Sequence, residues 1–294
     1  MPSDLNSMFQ PSPAARAQKH PHKGISSPPG NIHPTALIDP MASIADDVQI
    51  GPYCIVEGQV SLARGNILAP YVHIKGCTHI GEANQFYQGC IIGEAPQSKS
   101  FNNPEPRLII GKNNVFREYM TIHCSSIPGT ATVIGDDNFL MAYCHIAHDC
   151  LVGNSITFSN SAGLSGHVTV EDNAFIAGLT GVHQFAKIGS LAMIGGVSKV
   201  AKDVPPYVMT EGNPAYVVGL NKTGMRRRGF SDLELRAVKN AYKILYRSNL
   251  LVDAALLCIE EQLLPSLEDP QAKARIAHFL HFCQGTKLGI MAAG

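Results

Sequence analysis

The sequence predicts a mostly β protein: a parallel β-helix in which short strands of hexapeptide repeats stack into a three-sided prism, followed by a C-terminal α-helical domain. Two observations predict this fold. From Ile32 to Val200, 29 positions lie at a step of six residues, and 26 of them carry Ile, Val, Leu or Phe. After Val200 this period ends and the apolar spacing becomes helical. A step of six indicates short strands joined at tight corners, with three sides in each coil of eighteen residues.

Composition excludes several classes of protein. The 294 residues are 45% hydrophobic, which is enough for a substantial core. Because 23 Lys and Arg balance 23 Asp and Glu, the chain lacks the positive charge that nucleic-acid binding requires, and no nucleic-acid partner is expected. The sequence shows neither an apolar run of about 18 residues nor a secretory signal. We therefore expect no membrane span and a cytoplasmic location.

Three segments are expected along the chain. Residues 1–30 have no apolar period and are predicted to be a disordered tail without an assigned function. Residues 31–204 form the β-helix, and residues 205–294 form a linker and the helical domain. The period is broken only at Ser98, Pro104 and Pro128, so segments 94–107 and 124–132 are predicted to be loops that leave the prism and are candidates for function.

The helical domain contains recognisable start signals. Ser231 and Glu234 form a capping box, which predicts a helix from there. A second helix is expected over 252–264, ending before Pro265. A third is expected from Asp269, with proline in its first turn.

Small residues in the repeats have predicted structural roles. A glycine often follows the large apolar residue, and Asn or Asp is common at the next two places. We expect these residues to supply the positive φ angles that sharp corners need. Cysteines four positions after the large residue are interpreted as small inward-facing hydrophobes rather than reactive thiols. They are Cys54, Cys90, Cys144 and Cys150.

Residues eighteen apart are predicted to stack on neighbouring coils, and this brings polar residues together. The triplet Ala147-His148-Asp149 lies beside Ser165-Gly166-His167, which lies beside His183-Gln184-Phe185. With a strand spacing of about 5 Å, the first two histidines of this stripe are expected within about 7 Å of each other. His145 approaches from the preceding strand.

This stripe has the residue types that acyl transfer requires. His148 with its neighbour Asp149 can take a proton from an alcohol near neutral pH, because a carboxylate stabilises the imidazolium that forms. Gly166 allows close backbone approach, so its N–H can stabilise a developing oxyanion. The sequence has no Gly-x-Ser-x-Gly nucleophile motif, which favours direct attack by the acceptor over a covalent acyl-enzyme.

Two other interpretations of the stripe stay open from the residues alone. The histidines can be a solvated surface ladder on a β-helical scaffold without catalytic activity. They can also hold zinc, as three histidines do in the γ-carbonic-anhydrase type of hexapeptide prism. The catalytic interpretation gives Asp149 and Gly166 clear roles that the zinc interpretation does not, so no metal is expected.

Several motifs in order resemble one family. The hexapeptide repeats are similar to the left-handed parallel β-helix of acyltransferases. The strings HIAHDC, AGLSGHVTVEDNAFIAGLTGVHQF, DVPPYV, EGNPA, RRRGFS and NAYKILYRS closely resemble the UDP-N-acetylglucosamine O-acyltransferase family of lipid A biosynthesis. The resemblance covers about 32–250. It implies a homotrimer that transfers an (R)-3-hydroxyacyl group from the phosphopantetheine of acyl carrier protein to the 3-hydroxyl of UDP-N-acetylglucosamine, with no bound cofactor.

The resemblance also implies roles for individual residues. His148 matches the general base, Asp149 the residue that orients it, and Gly166 the oxyanion donor. Gly196 matches the floor of the acyl groove. The positions that match other substrate contacts are Gln97, His123, His145, His167, His183, Gln184, Asn221, Arg227 and Arg228.

The basic run Arg226 to Arg228 can also be interpreted without the resemblance. It precedes the helix predicted from Ser231, and cations at the positive end of a helix dipole favour a bound anion. The alternative is an ordinary solvated basic turn.

Departures from the family pattern leave the acceptor open. Ser98 stands where the family has Asp, Ser100 follows a lysine displaced by one position, and Thr223 stands where Glu is usual. The segment 124–132 also differs from the family's glycine-rich loop. N-acylation of a UDP-linked 3-amino sugar is therefore an alternative to O-acylation.

Overall fold

The computed structural model describes residues 31–294, in which the chain forms a prism of three mainly parallel sheets and then a group of helices. The tail expected at 1–30 lies outside the described residues. No helix in the described part of the chain is long and apolar enough to cross a membrane.

The prism is built from very short strands, most of them two residues long. In chain order, strands β1 to β27 are Leu37–Ile38, Ser43–Ile44, Gln49–Ile50, Ile55–Glu57, Ser61–Leu62, Ile67–Leu68, His73–Lys75, Cys77–Ile80, Gln85–Phe86, Ile91–Glu94, Arg107–Ile110, Val115–Phe116, Thr121–His123, Thr132–Ile134, Phe139–Leu140, His145–Ile146, Leu151–Val152, Thr157–Phe158, Gly163–Leu164, Thr169–Val170, Phe175–Ile176, Gly181–Val182, Lys187–Ile188, Met193–Ile194, Lys199–Val200, Val208–Gly212 and Ala215–Leu220.

Each side of the prism is one sheet that takes every third strand. One sheet runs from β1 through β4, β7, β10, β13, β16, β19 and β22 to β25, and the second from β2 in the same steps to β23. The third runs from β3 to β24 and continues through β26 and β27. Along the prism the pairs are parallel and mostly eighteen residues apart, as in Ile146↔Leu164. At the predicted insertions the offset grows, as in Ile91↔Thr121, and the register shifts between Ile92 and Glu94.

The six-residue period marks the core. Its members from Ile50 to Val200 are all buried, apart from the three interrupted positions in the loops. Ile32 is 41% exposed because it lies at the first coil, where no further coil covers it. The four periodic cysteines are also buried, and all eight cysteines of the chain are free thiols. Burial raises the pKa of the Cys150 thiol to about 12, which keeps it protonated.

The prediction for the corners was wrong for the glycines that follow the large residue, but it was confirmed at Asn113, Asp137 and Asn173, which have positive φ. Positive φ falls three positions after the large residue, mostly on other residue types such as Tyr143 and Leu179. The glycines directly after the large residue, except Gly93, do not have positive φ. They are needed for close packing between coils, because a Cβ on Gly135 would lie 2.6 Å from the carbonyl oxygen of Gly153.

The segment after residue 204 also differs from the predicted loop. Strand β26 pairs in parallel with β24, and β27 returns antiparallel to it, so a hairpin extends the third sheet. Val208 and Val217 are fully buried in this hairpin. Its apolar alternation is short and lies among prolines, which is why the sequence reads as a loop.

The helices follow the hairpin. They are α1 (Lys222–Arg227), α2 (Asp232–Arg247), α3 (Val252–Cys258), a π-helical turn at Ile259–Leu263, α4 (Leu264–Ser266) and α5 (Pro270–Gln284). Ser231 and Glu234 form the predicted capping box, and Asp269 caps α5. The helical run does not end before Pro265: this proline lies in the first turn of α4, which continues directly from the π-helical turn.

The helices pack on the end of the prism. Tyr207 lies directly before β26. Its side chain belongs to the same apolar cluster as Met225, Phe230 and Ile276. Its hydroxyl lies 3.0 Å from Nδ1 of His278 on α5. The helical region is thus attached to the β-helix by a shared core.

Candidate active site

The predicted polar stripe is present at one corner of the prism. Strands β16, β19 and β22 are adjacent, which places His148 beside Gly166 on the next coil. The N–H of His167 donates to the carbonyl of His148 at 3.0 Å. The rings of these two histidines lie 5.1 Å apart edge to face, and His167 stacks on Phe185 at 4.6 Å. The eighteen-residue period therefore gives the correct spatial neighbours.

His148 and Asp149 form a hydrogen-bonded pair. Nδ1 of His148 lies 2.8 Å from Oδ2 of Asp149. The histidine side chain is 14% exposed and the aspartate side chain 6%. Because a carboxylate accepts hydrogen bonds, the pair places the imidazole proton on Nδ1 and leaves Nε2 as an acceptor. The geometry is that of an oriented base.

The loop between β13 and β14 surrounds the other side of the Asp149 carboxylate. The Ser126 N–H donates to both carboxylate oxygens at 3.1 Å, and the Ser126 hydroxyl donates to Oδ2 at 2.5 Å. The Thr130 hydroxyl lies 3.3 Å from Oδ1 but donates to the Ile127 carbonyl at 2.8 Å. Burial alone would raise the pKa of Asp149, but the hydrogen bonds from Ser126 and His148 outweigh it and hold the pKa below its usual value.

Gly166 packs directly against the base. A Cβ at this position would lie 2.5 Å from Cε1 and 2.7 Å from Nε2 of His148. Within residues 31–294 the Gly166 N–H has no hydrogen-bond acceptor. A free main-chain donor thus lies beside the nitrogen that would accept a proton.

Two further histidines lie behind His148. The rings of His123 and His145 are 4.8 Å apart, and Nδ1 of His145 lies 2.7 Å from the Thr121 hydroxyl. Burial, with a smaller effect from His145, lowers the pKa of His123 to about 4, so this side chain is neutral at pH 7. Burial also lowers the pKa of His145. His167 likewise has a lowered pKa because of burial, although Asp149 opposes this.

A cavity of about 550 Å³ opens on these groups. It brings together most of the predicted residues, and Gln97 reaches it from the loop between β10 and β11. The predicted residues that line it are Gln97, His123, His145, His148, Gly166, His183 and Gln184.

Sequence reasoning missed several parts of this site. Gly163, Gly181 and Lys199 continue the column of His145 at eighteen-residue steps and form one wall of the cavity. The period could have identified them, because two glycines in one outward column leave a groove. Ser126 and Thr130 lie in the loop outside the period, so no spacing signal points to them.

Five predicted substrate contacts do not line this cavity of their own chain. They are His167, which packs against the lining residue His148, and Gly196, Asn221, Arg227 and Arg228. Asn221 caps α1: its side chain accepts from the Gly224 N–H at 2.9 Å and donates to the Leu191 carbonyl at 2.9 Å. Their roles in substrate binding stay predictions.

The basic run precedes α2 as predicted, but it also lies at the end of α1, a helix that was not predicted. Arg226 and Arg227 lie in the last turn of α1, and Arg228 is its C-terminal cap. Cations are favourable at this negative end of a helix, so no anion is needed to compensate them. In the described part of the chain, none of these arginines is paired with a carboxylate.

The atoms that could hold a metal ion belong to the same groups. One ligand atom each from His148, Asp149 and His167 lies within 4.8 Å of the others. The carboxylate of this set already accepts bonds from His148 and from the N–H and hydroxyl of Ser126. The contacts fit a hydrogen-bonded pair better than a zinc site, which requires deprotonated ligands with free lone pairs.

Comparisons with known proteins identify the family of the chain. Residues 203–291 match the family model described as "Udp N-acetylglucosamine O-acyltransferase; Domain 2". Two curated relatives bear the name "Acyl-[acyl-carrier-protein]--UDP-N-acetylglucosamine O-acyltransferase". The one from Verminephrobacter eiseniae is 43% identical over 89% of this chain and 99% of its own. The one from Thermodesulfovibrio yellowstonii is 46% identical over 88% of this chain and 98% of its own.

Solved structures give the same result. LpxA from Acinetobacter baumannii superposes with a TM-score of 0.83 at 42% identity, over 89% of this chain and 99% of that one. UDP-N-acetylglucosamine acyltransferase from Francisella novicida superposes with a TM-score of 0.84 at 33% identity, over 89% and 94%. With its three stacked sheets and C-terminal helices, the chain is a left-handed parallel β-helix protein and belongs to the UDP-N-acetylglucosamine O-acyltransferase family.

Proposed function

We propose that this protein transfers an (R)-3-hydroxyacyl group from acyl carrier protein to the 3-hydroxyl of UDP-N-acetylglucosamine, the first step of lipid A biosynthesis. The observation that carries the proposal is the arrangement of His148, Asp149 and the free Gly166 N–H beside one cavity. Family membership supplies the substrate class, because relatives over most of the chain are named for this reaction.

His148 acts as the general base in this proposal. Its Nε2 takes the proton of the sugar 3-hydroxyl as that oxygen attacks the thioester carbonyl carbon. Asp149 holds the Nδ1 proton and stabilises the imidazolium that forms. Gly166 donates its N–H to the oxyanion of the tetrahedral intermediate. Collapse of the intermediate breaks the C–S bond, and the imidazolium returns its proton to the leaving thiolate.

The acyl-phosphopantetheine of acyl carrier protein is the donor, and the groove beside the base can accommodate it. Gly163 and Gly181 have no side chains and leave the surface between His145 and Lys199 open. We propose that the acyl chain runs along this column toward Gly196. Gln97, His123, His145, His167, His183 and Gln184 are proposed to contact the substrates, since all of them line the cavity or touch a residue that does.

The active assembly is proposed to be a homotrimer, with Asn221, Arg227 and Arg228 completing the site of a neighbouring subunit. One corner of the prism supports this proposal. Its exposed side chains include Tyr143, Leu179 and Val197, which are 61%, 66% and 66% exposed. It is unusual for apolar side chains to be exposed in one line. A second copy would cover such a line.

A cytoplasmic location is proposed as well. The support is that all eight cysteines are free thiols, as is usual in a reducing compartment.

The decisive experiment is an acyl-transfer assay with carrier-bound acyl chains of several lengths. It compares UDP-N-acetylglucosamine with its 3-amino analogue, because Ser98, Ser100 and Thr223 depart from the family pattern. We expect O-acylation by the wild type and none by the His148→Ala variant, with the fold retained. Exclusive N-acylation would replace the proposed acceptor, and an active His148→Ala variant would refute the base assignment. Stoichiometric zinc in active protein would favour the carbonic-anhydrase-like alternative.

A further inference from the structure

The loop between β13 and β14 has no role in the reaction as described so far. It leaves the six-residue period after His123 and rejoins it at Thr132. In between, it folds back over the carboxylate of Asp149 from the side opposite His148. The N–H groups of Ser126 and Ile127 and the hydroxyl of Ser126 all point at this carboxylate.

Among these donors, the Ser126 hydroxyl makes the shortest contact. It donates to Oδ2, the same oxygen that accepts the Nδ1 proton of His148. The Ile127 N–H and the Thr130 hydroxyl lie farther away, at 3.4 and 3.3 Å. His167 is 3.8 Å from Oδ2, which is too far for a hydrogen bond. Ser126 is therefore the main group that fixes the position of this oxygen relative to the base.

Ser126 is itself held in a rigid position. Its neighbour Ser125 is fully buried. The Ser125 hydroxyl accepts from the Arg107 N–H at 3.0 Å and donates to the Thr130 carbonyl at 2.9 Å. The Ser125 carbonyl accepts from Asn103 at 3.2 Å. Both insertions of the prism thus meet at Ser125, one residue from the contact with Asp149.

The His148–Asp149 pair, called the dyad here, needs such a support because it lies at a corner of the prism. Asp149 has a φ of 59°, and its coil neighbour His167 has a φ of 61°, so both side chains project from sharp bends. The backbone N–H of Asp149 is tied to the Thr132 hydroxyl at 2.8 Å. This bond fixes the main chain, but the rotation of the carboxylate is fixed by the loop alone on the side away from His148.

We propose that Ser126 is a positioning residue for the reaction: its hydroxyl holds Oδ2 of Asp149 so that His148 keeps the tautomer and orientation needed to accept the sugar proton. This proposal rests on the proposed function for its kinetic consequence, although its effect on the dyad does not depend on the substrate. Ser126 does not touch substrate in this scheme. It acts through Asp149, and the two insertions fold together to place it.

The test compares Ser126→Ala with Ser126→Thr. Alanine keeps the backbone N–H bonds and removes only the hydroxyl, whereas threonine retains the hydroxyl. We expect alanine to lower kcat by about tenfold to hundredfold, with KM for UDP-N-acetylglucosamine and the melting temperature nearly unchanged. Threonine is expected to restore most of kcat. Ser155→Ala is the matched control, since Ser155 lies at another corner of the prism with a similar φ of 54°.

A spectroscopic measurement separates this proposal from the proposed function. In histidine-labelled protein, the Nδ1 proton of His148 gives a low-field NMR resonance because it is hydrogen-bonded to Asp149. We expect this resonance to shift or broaden in Ser126→Ala and to be unchanged in Ser155→Ala. An unchanged resonance together with wild-type kcat would overturn the proposal. So would equal losses in Ser126→Ala and Ser126→Thr with lower melting temperatures, which indicate a role in folding only. If the wild type fails to transfer acyl groups, the proposed function is wrong. The comparison of the His148 resonance in Ser126→Ala and Ser155→Ala then still tests whether Ser126 positions Asp149.

Discussion

The imidazole of His148 lies against the bare backbone of Gly166: a Cβ on this glycine would be 2.5 Å from Cε1 of the ring. Real Cβ atoms do not approach other atoms so closely, so the ring can occupy its position only because residue 166 has no side chain. The glycine has no positive φ that would explain it otherwise. The absence of a side chain at residue 166 therefore lets the His148 ring pack directly against the backbone.

Gly166→Ala is therefore expected to displace the base. The added methyl group must push the His148 ring away from Gly166, and we expect kcat to fall by at least about hundredfold. The change in melting temperature is expected to be small, because the side chain that moves borders the open cavity. Gly219→Ala is a suitable control, since a Cβ there meets nothing within 4 Å. A Gly166→Ala variant with near-normal kcat would show that this packing is not needed.

Asp149→Asn is expected to lower kcat by about 10³- to 10⁴-fold, with little change in KM. The amide keeps the size of the side chain, but it can donate to Nδ1 and so favour the wrong tautomer of His148. Asp137→Asn is the matched control, because Asp137 lies at an equivalent corner with the same φ of 59° and is exposed. A steady-state assay of both variants checks the prediction, and equal activities would contradict it.

The lowered pKa of His123 predicts that the free energy of unfolding depends on pH. Its pKa is about 4 in the folded protein against 6.5 as the ordinary value, so the unfolded chain binds more protons between these pH values. The free energy of unfolding is therefore expected to fall as the pH is lowered from 6.5 to 4, with a contribution of up to about 3 kcal/mol from this residue. Denaturant unfolding of the wild type and His123→Leu across this range measures it. The variant is expected to lose less stability on acidification, and parallel curves would refute the assignment.

The repeat region and the centre of the site were predictable from the sequence because one geometric rule connects them. A residue eighteen positions further on lies on the next coil, so the neighbours of His148 follow from counting. The same rule places Gly163 and Gly181 in line with His145.

The rule does not apply where the chain leaves the prism. Ser126 lies in such a loop, and its contact with Asp149 spans 23 residues, which is no multiple of the period. Helix α1 was missed for a different reason. Its sequence KTGMRR contains threonine and glycine, which are weak helix formers, and it depends on the Asn221 cap, which a Cβ on Gly224 would displace. The prediction consequently placed the basic run only before α2 and not also at the C-terminal end of α1.

Arg228 is expected to bind substrate from a neighbouring subunit. It is exposed and lies outside the cavity of its own chain. We expect Arg228→Ala to raise KM for the UDP-sugar by about tenfold and to lower kcat less, because it removes a charge-assisted contact to a phosphate. Arg64→Ala is the control, since Arg64 lies on an early coil beside Asp47. No change in either constant for Arg228→Ala would contradict a role in binding.

A mixing experiment then tests whether the His148 and the Arg228 of one site come from different subunits. His148→Ala protein keeps Arg228, and Arg228→Ala protein keeps His148. If the two residues of one site come from different subunits, refolding the two variants together creates some sites with both groups intact. At a UDP-sugar concentration well below the raised KM, the mixture is then expected to exceed the summed activity of the separate variants. If both residues serve the same chain, every site carries one defect and no gain is possible. Light scattering of the wild type, with a mass of three chains of 31.5 kDa expected, completes the test.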